Sequence, residues 1–177
     1  ATSIEILNEK FNQGKFAEIV VPLRELASEE DSHAQFLLAV MYHFGKGVEL
    51  DRDFAFTLFQ AAAFNPKTDG HNKAGEFLAR GYLMDEKSKY YDQQFGLRIL
   101  RALSDLGELD SQLYMGGFLI LEAERHQHAK DTLLEESYMH FSRAVKQHAH
   151  AGAHHMVFLL QKERYGIKSK EAISAIS

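Results

Sequence analysis

Ala34-Gln35-Phe36-Leu37-Leu38-Ala39-Val40-Met41-Tyr42 decides how this chain is read, because its pattern returns as Ala74-Gly75-Glu76-Phe77-Leu78-Ala79-Arg80-Gly81-Tyr82. Ala, Leu, Ala and Tyr keep identical internal spacing in both copies. Ser111, Met115, Gly116 and Leu119 repeat it in looser form. The step between copies is about 40 residues, within the range that marks helical repeat architectures. Positions i, i+4, i+5 and i+8 lie on one face of an α-helix. Small residues beside a large one on that face predict close approach to a neighbouring helix.

Each copy is followed by a second helical stripe. After the first come His43-Phe44-Gly45-Lys46-Gly47-Val48, whose glycines suit the left-handed backbone that ends a helix. Asp51 is placed to cap the next helix, and Phe54, Ala55, Leu58, Phe59 and Ala62 form its apolar stripe. Asn65-Pro66 ends it, since the residue before proline avoids the helical region. The second copy predicts one helix over Ala74–Tyr82, then a stripe of Phe95, Gly96, Ile99, Leu100 and Leu103. Its connecting loop, 84–92, replaces the Gly-x-Gly-Val turn with charged residues and Tyr90-Tyr91. In the third, a longer loop takes in Glu124 to His128, Thr132 with Glu135 reads as a capping box, and Phe141 and Ala144 match Phe59 and Ala62. A fourth unit starts near Ala153, with Gly166-Ile167 in the place of Gly47-Val48. Residues 3–28 form a further helix pair, with Pro22 expected to kink its second helix.

The expected architecture is therefore all-α: about ten helices in antiparallel pairs, in a single repeat domain. Its parts are an N-terminal pair (1–30), repeats over 31–69, 70–108 and 109–150, and a partial repeat with C-terminal cap (151–177).

Bulk composition excludes several classes. At 177 residues the chain suits one domain, and its 45% hydrophobic and 25% charged content is that of an ordinary folded protein. The formal net charge of −5 and the lack of a basic run argue against nucleic-acid binding. No apolar stretch approaches the ~20 residues of a membrane span and none reads as a signal peptide, so a soluble protein of cytoplasm or periplasm is expected. There are no cysteines, which removes disulfides, thiolate metal sites and a Cys nucleophile.

Ala34-x-x-x-Leu38-Ala39-x-x-Tyr42-x-x-Gly45-x-Gly47-Val48-x-x-Asp51-x-x-x-Ala55, closing with Ala61-Ala62, resembles the Sel1-like repeat, a relative of the tetratricopeptide repeats. The resemblance covers roughly residues 32–175. The family's usual glycine at the Leu-Gly step is Ala39 and Ala79 here, and Gly116 in the third unit. Its common second-helix aromatic is Phe59, with Leu100 and Phe141 at matching positions. What the resemblance implies is a right-handed α-α superhelix, or solenoid, of these antiparallel helices, and a non-enzymatic adaptor or scaffold role, frequent in bacterial envelope, signalling and secretion systems. An alternative it implies is an immunity or inhibitor protein of a secreted effector enzyme.

Chemical constellations are sparse. Gly-x-Ser-x-Gly, His-Glu-x-x-His and a phosphate-binding glycine loop are all missing, so no catalytic residue or cofactor is assigned. Gly45-Lys46-Gly47 is explained as a repeat turn. Ten histidines are many for this length, and full protonation would carry the formal charge from −5 to +5. His126, His128, His150 and His154 are weak candidate metal ligands, which leaves a metal- or pH-responsive binder as a second alternative. The favoured reading is a protein or peptide partner held on the inward face of the first helices. Its candidate contacts are Phe36, Val40, Phe44, Glu76, Arg80, Leu113 and Tyr114, since aromatics and Arg anchor interfaces.

Overall fold

The computed structural model describes residues 3–68 and 70–148. They form eight α-helices and no strand: α1 (Ile4–Asn12), α2 (Phe16–Ser28), α3 (Ser32–Phe44), α4 (Arg52–Ala63), α5 (Asn72–Leu78), α6 (Gln93–Asp105), α7 (Leu109–Arg125) and α8 (Lys130–Gln147). The remaining helices of the expected ten, the partial repeat at 151–177 and its Gly166-Ile167 turn lie outside the described residues. Contacts divide the chain into two units, residues 1–96 and 97–177, with the boundary inside α6. Within the first unit α1 packs on α2, α2 on α3, α3 on α4 and α4 on α5; within the second, α7 packs on α8.

The repeat positions are the core. Ala34, Leu38, Ala39, Ala74, Leu78, Ala79, Tyr82, Ser111, Met115 and Leu119 are all buried, as are Phe59, Leu100 and Phe141 on the second helices. The small residues permit close helix approach, and the large ones fill the gaps beyond it. Asp51 caps α4 as expected, its carboxylate accepting from the Phe54 amide at 3.0 Å. Gly45 and Gly47 take φ of 68° and 72°, and Gly45 closes α3 in the left-handed conformation.

The first helix of the second repeat departs from expectation. Instead of one α-helix over Ala74–Tyr82, α5 stops at Leu78 and Ala79–Leu83 forms a π turn. A single inserted residue explains it. Asp51 follows Tyr42 by nine positions, and Asp92 follows Tyr82 by ten. The backbone bond from Asp51 N to the Tyr42 carbonyl (3.0 Å) recurs as Asp92 N to the Leu83 carbonyl (3.0 Å). Tyr82 thus keeps the side-chain place of Tyr42 while Leu83 takes its backbone place, and the widened turn absorbs the difference.

Two further expectations are corrected in the third repeat. Glu124 and Arg125 belong to α7, so the loop there is short. A 3-10 turn over Gln127–Ala129 then feeds directly into α8, which starts at Lys130. Thr132 and Glu135 therefore sit inside the helix and form no capping box; the N-cap position is Ala129, with no side-chain cap. In α2 the helix runs on through Pro22 to Ser28.

A pair of amide side chains ties the first and the third repeat to the turn before it, in the same way in each unit. Gln35 Nε2 donates to the Ala27 carbonyl (3.4 Å), and Gln112 Nε2 to the Ser104 carbonyl (3.0 Å). At the far end of the repeat, Asn65 Nδ2 donates to the Glu30 carbonyl (2.7 Å), and Gln147 Nε2 to the Gly107 carbonyl (2.6 Å). Both acceptors have positive φ, 63° at Glu30 and 95° at Gly107. That conformation turns the carbonyl out of the helical ladder, where the next repeat's amide satisfies it.

Candidate functional site

In the first unit the candidate contacts come from α3 and from α5 with its π turn. Phe36 is half-buried in an aromatic stack. Its ring lies 4.5 Å from His71 at an interplanar angle of 24°, 5.6 Å from Phe77 and 6.2 Å from the buried Phe59. Its apolar surface is thus largely spent on the next repeat. Val40 is half-buried, and Phe44, one turn on, is 53% exposed. Glu76 is buried, its carboxylate taking a 2.6 Å ion pair from Arg80 and lying 4.0 Å from Lys73 Nζ. The Arg80 side chain stays 45% exposed, with its guanidinium held in place by a carboxylate below it. A methyl group on Gly81 would lie 3.9 Å from the His43 ring, so the π turn lies against the end of α3 that carries Phe44.

In the second unit α7 supplies Leu113 and Tyr114, both half-buried. Leu113 packs on the cluster of Ala123, Leu134, Phe141 and Val145. The Tyr114 ring stacks on Phe118 at 6.1 Å and 13°.

The loop at 84–92 is anchored rather than loose. Tyr90 stacks on Phe56 at 3.8 Å and 11°, and its hydroxyl donates to Asp53 Oδ1 at 2.8 Å. Lys89 Nζ donates to Asp53 Oδ2 at 2.9 Å, and this bond with the Tyr90 bond holds the Asp53 carboxyl below its ordinary range. Reading the sequence identified the loop's composition but not its partner. Asp53 and Phe56 lie on α4, at a distance in sequence that no local pattern reveals.

An open cleft of about 690 Å³ lies between α2 and the α3–α4 turn, lined by Val20, Arg24, Tyr42, Val48, Leu50 and Asp51, among others. Arg24 donates to the Tyr42 hydroxyl across it at 2.6 Å.

The histidines divide by environment. His126 is exposed, pairs with Glu122 at 3.3 Å and has its ring 6.0 Å from that of His128. His150 and His154 lie outside the described residues. Among the described residues no group of three or more His, Asp or Glu is placed to hold a metal ion. Buried in the second unit is a line that the sequence reading missed: Ser104 Oγ to His140 Nδ1 at 2.6 Å, and His140 Nε2 to Glu136 at 2.9 Å, with Arg101 gripping both Glu136 oxygens at 3.0 and 3.1 Å. Its composition is that of a nucleophile, base and acid. Ser104 and His140 are each only 1% exposed, however, so no substrate reaches the hydroxyl.

Helix pairs whose first helices pack through the same spaced positions define a helical repeat protein. The chain is similar to the crystal structure of a protective antigen present in uropathogenic Escherichia coli strains and displaying an SLR fold, with a TM-score of 0.70 at 20% identity. The match covers 98% of this chain and 36% of the antigen, so the chain spans little more than a third of that protein's length. No family model and no curated protein matches the sequence. Among the described residues no helix is long and apolar enough to cross a membrane.

Proposed function

We propose that this chain is a protein-binding module that holds a protein or peptide segment on the exposed face of its first helices, without catalysis. The observation that carries the reading is the α3–π-turn edge of the first unit. There Phe44 stands 53% exposed at the end of α3, and Arg80 is oriented by the buried Glu76 carboxylate. A large apolar ring and a pre-positioned guanidinium are the side-chain types that dominate interface energetics. Fixing the guanidinium beforehand also lowers the entropy lost on binding. Val40, half-buried one turn before Phe44 on α3, adds apolar surface. On α7 of the second unit, Tyr114 and Leu113 offer a further contact of the same chemistry.

The test is affinity purification from the native host, followed by titration of the purified partner against wild-type protein and variants. Phe44→Ala and Arg80→Ala are each expected to weaken binding about tenfold or more, as truncated interface anchors do. Unchanged affinity in Phe44→Ala, Arg80→Ala and Tyr114→Ala alike would remove this face from the interaction.

A further inference from the structure

Three histidines share one feature: each ring lies at a contact between successive repeats, with Nδ1 within hydrogen-bond distance of a neighbouring group. The clearest is His71. Its Nδ1 accepts the Ala74 backbone N–H at 3.1 Å and so caps α5, while its ring stacks on Phe36 of the preceding repeat. A backbone N–H only donates, so this nitrogen carries no proton. At His140, Glu136 is a carboxylate that accepts from Nε2–H; Nδ1 of the neutral ring is then the acceptor for the Ser104 hydroxyl, which joins α6 of one repeat to α8 of the next. His43 closes the set. The Tyr82 hydroxyl lies 2.8 Å from its Nδ1, joining α3 to the π turn of the following repeat.

We propose that His43, His71 and His140 are neutral-imidazole latches at the joints between successive repeats, and that protonation at acid pH opens them. A protonated ring has no acceptor nitrogen, so each latch loses its bond. At His71 the new positive charge would also face the amide end of α5, where the helix dipole opposes it.

The surroundings hold each ring neutral. For His71, burial is the main cause, with His33 adding to it and Asp31 opposing, and together they bring it down to about 4. For His43, burial leads, aided by Arg52, while burial pushes the facing Tyr82 phenol up to about 12, so that it remains a donor. For His140, burial and the cations Arg143 and Arg101 outweigh the attraction of Glu136, and the ring stays below its ordinary value. All three shifts are downward. The stabilisation is therefore complete above the ordinary histidine value of 6.5 and is lost as pH falls toward the lowered folded values.

Two measurements on the intact protein test the proposal. Ring-nitrogen NMR at pH 7 is expected to show His43, His71 and His140 as neutral rings protonated at Nε2. Hydrogen exchange at the Ala74 amide is expected to lose about tenfold of its protection between pH 7.5 and 5, the linkage expected for a shift of this size in a half-exposed group. His71→Asn keeps a capping acceptor without a titrating group. That variant is expected to hold its Ala74 protection factor constant across the range. Rings protonated at Nδ1 would overturn the proposal, and so would a His71→Asn variant with the wild-type pH dependence.

Discussion

Gly116 and Gly117 are neighbours on α7, yet the structure assigns them opposite responses to the same substitution. A methyl group on Gly116 would lie 2.6 Å from two ring carbons of Phe141 and 2.7 Å from a third, far inside contact distance. On Gly117 it would meet nothing within 4 Å. Both substitutions to Ala gain about 1 kcal/mol of helix propensity. At Gly116 that gain is set against about 1–3 kcal/mol of overpacking, because Phe141 is fully buried and has little room to move. Gly116→Ala is thus expected to be neutral to about 2 kcal/mol destabilising, and Gly117→Ala about 1 kcal/mol stabilising. The propensity gain cancels in the difference between the two, which isolates the ring contact. In a chain of this size 1 kcal/mol moves the midpoint about 2–4 °C, so thermal melts should separate the variants by roughly 3–10 °C. Phe141→Leu should bring the response at Gly116 close to that at Gly117. If Gly116→Ala and Gly117→Ala raise the melting temperature equally, the close-packed α7–α8 step is wrong.

Ser111 occupies the place of Ala34 and Ala74, is fully buried, and its hydroxyl has no hydrogen-bond partner among the described residues. Ser111→Ala is expected to stabilise by about 1 kcal/mol in denaturant unfolding, since it removes an unmet polar group and improves helix propensity. Asn65→Ala strips the donor from the Glu30 carbonyl, which is part-buried, and from Gln35 Oε1, which is left in a buried setting. It should cost about 2–3 kcal/mol by the same measurement, whereas Gln147→Ala, at an exposed position, should cost about 1 kcal/mol or less.

Much of this molecule is written locally. The Ala-Leu-Ala-Tyr step, the Asp51 cap and the Gly45–Gly47 turn each rest on interactions within a few residues, so periodicity and residue type suffice to place them. The boundaries in the third repeat differ from expectation because Thr132 and Glu135 offer a capping box that the preceding 3-10 turn forestalls by starting α8 three residues earlier. The π turn was hidden for a different reason. The insertion is legible as a ten-residue step from Tyr82 to Asp92, but whether a loop or a helix absorbs it depends on which residues must stay buried. Tyr82 must stay in the core, so the helix widened.

The candidate surface shows the same division. Sequence singled out Phe36, Phe44, Glu76, Arg80 and Tyr114 alike, by type and face. Packing decided that the Glu76 carboxylate is buried beneath Arg80 and that Phe36 is stacked between repeats. Among the histidines, clustering in sequence drew attention to residues 126–155, where the described part brings His126 beside His128 and Glu122. His43 and His140 gain their hydrogen-bond partners from elements brought alongside them, and His71 gains its ring contact with Phe36 in the same way. Sequence alone determined that this protein is built from helix pairs, since a helix reads its own period. Which acceptors and charges meet across those helices was left to tertiary structure, because hydrogen bonds and burial depend on distance in space rather than along the chain.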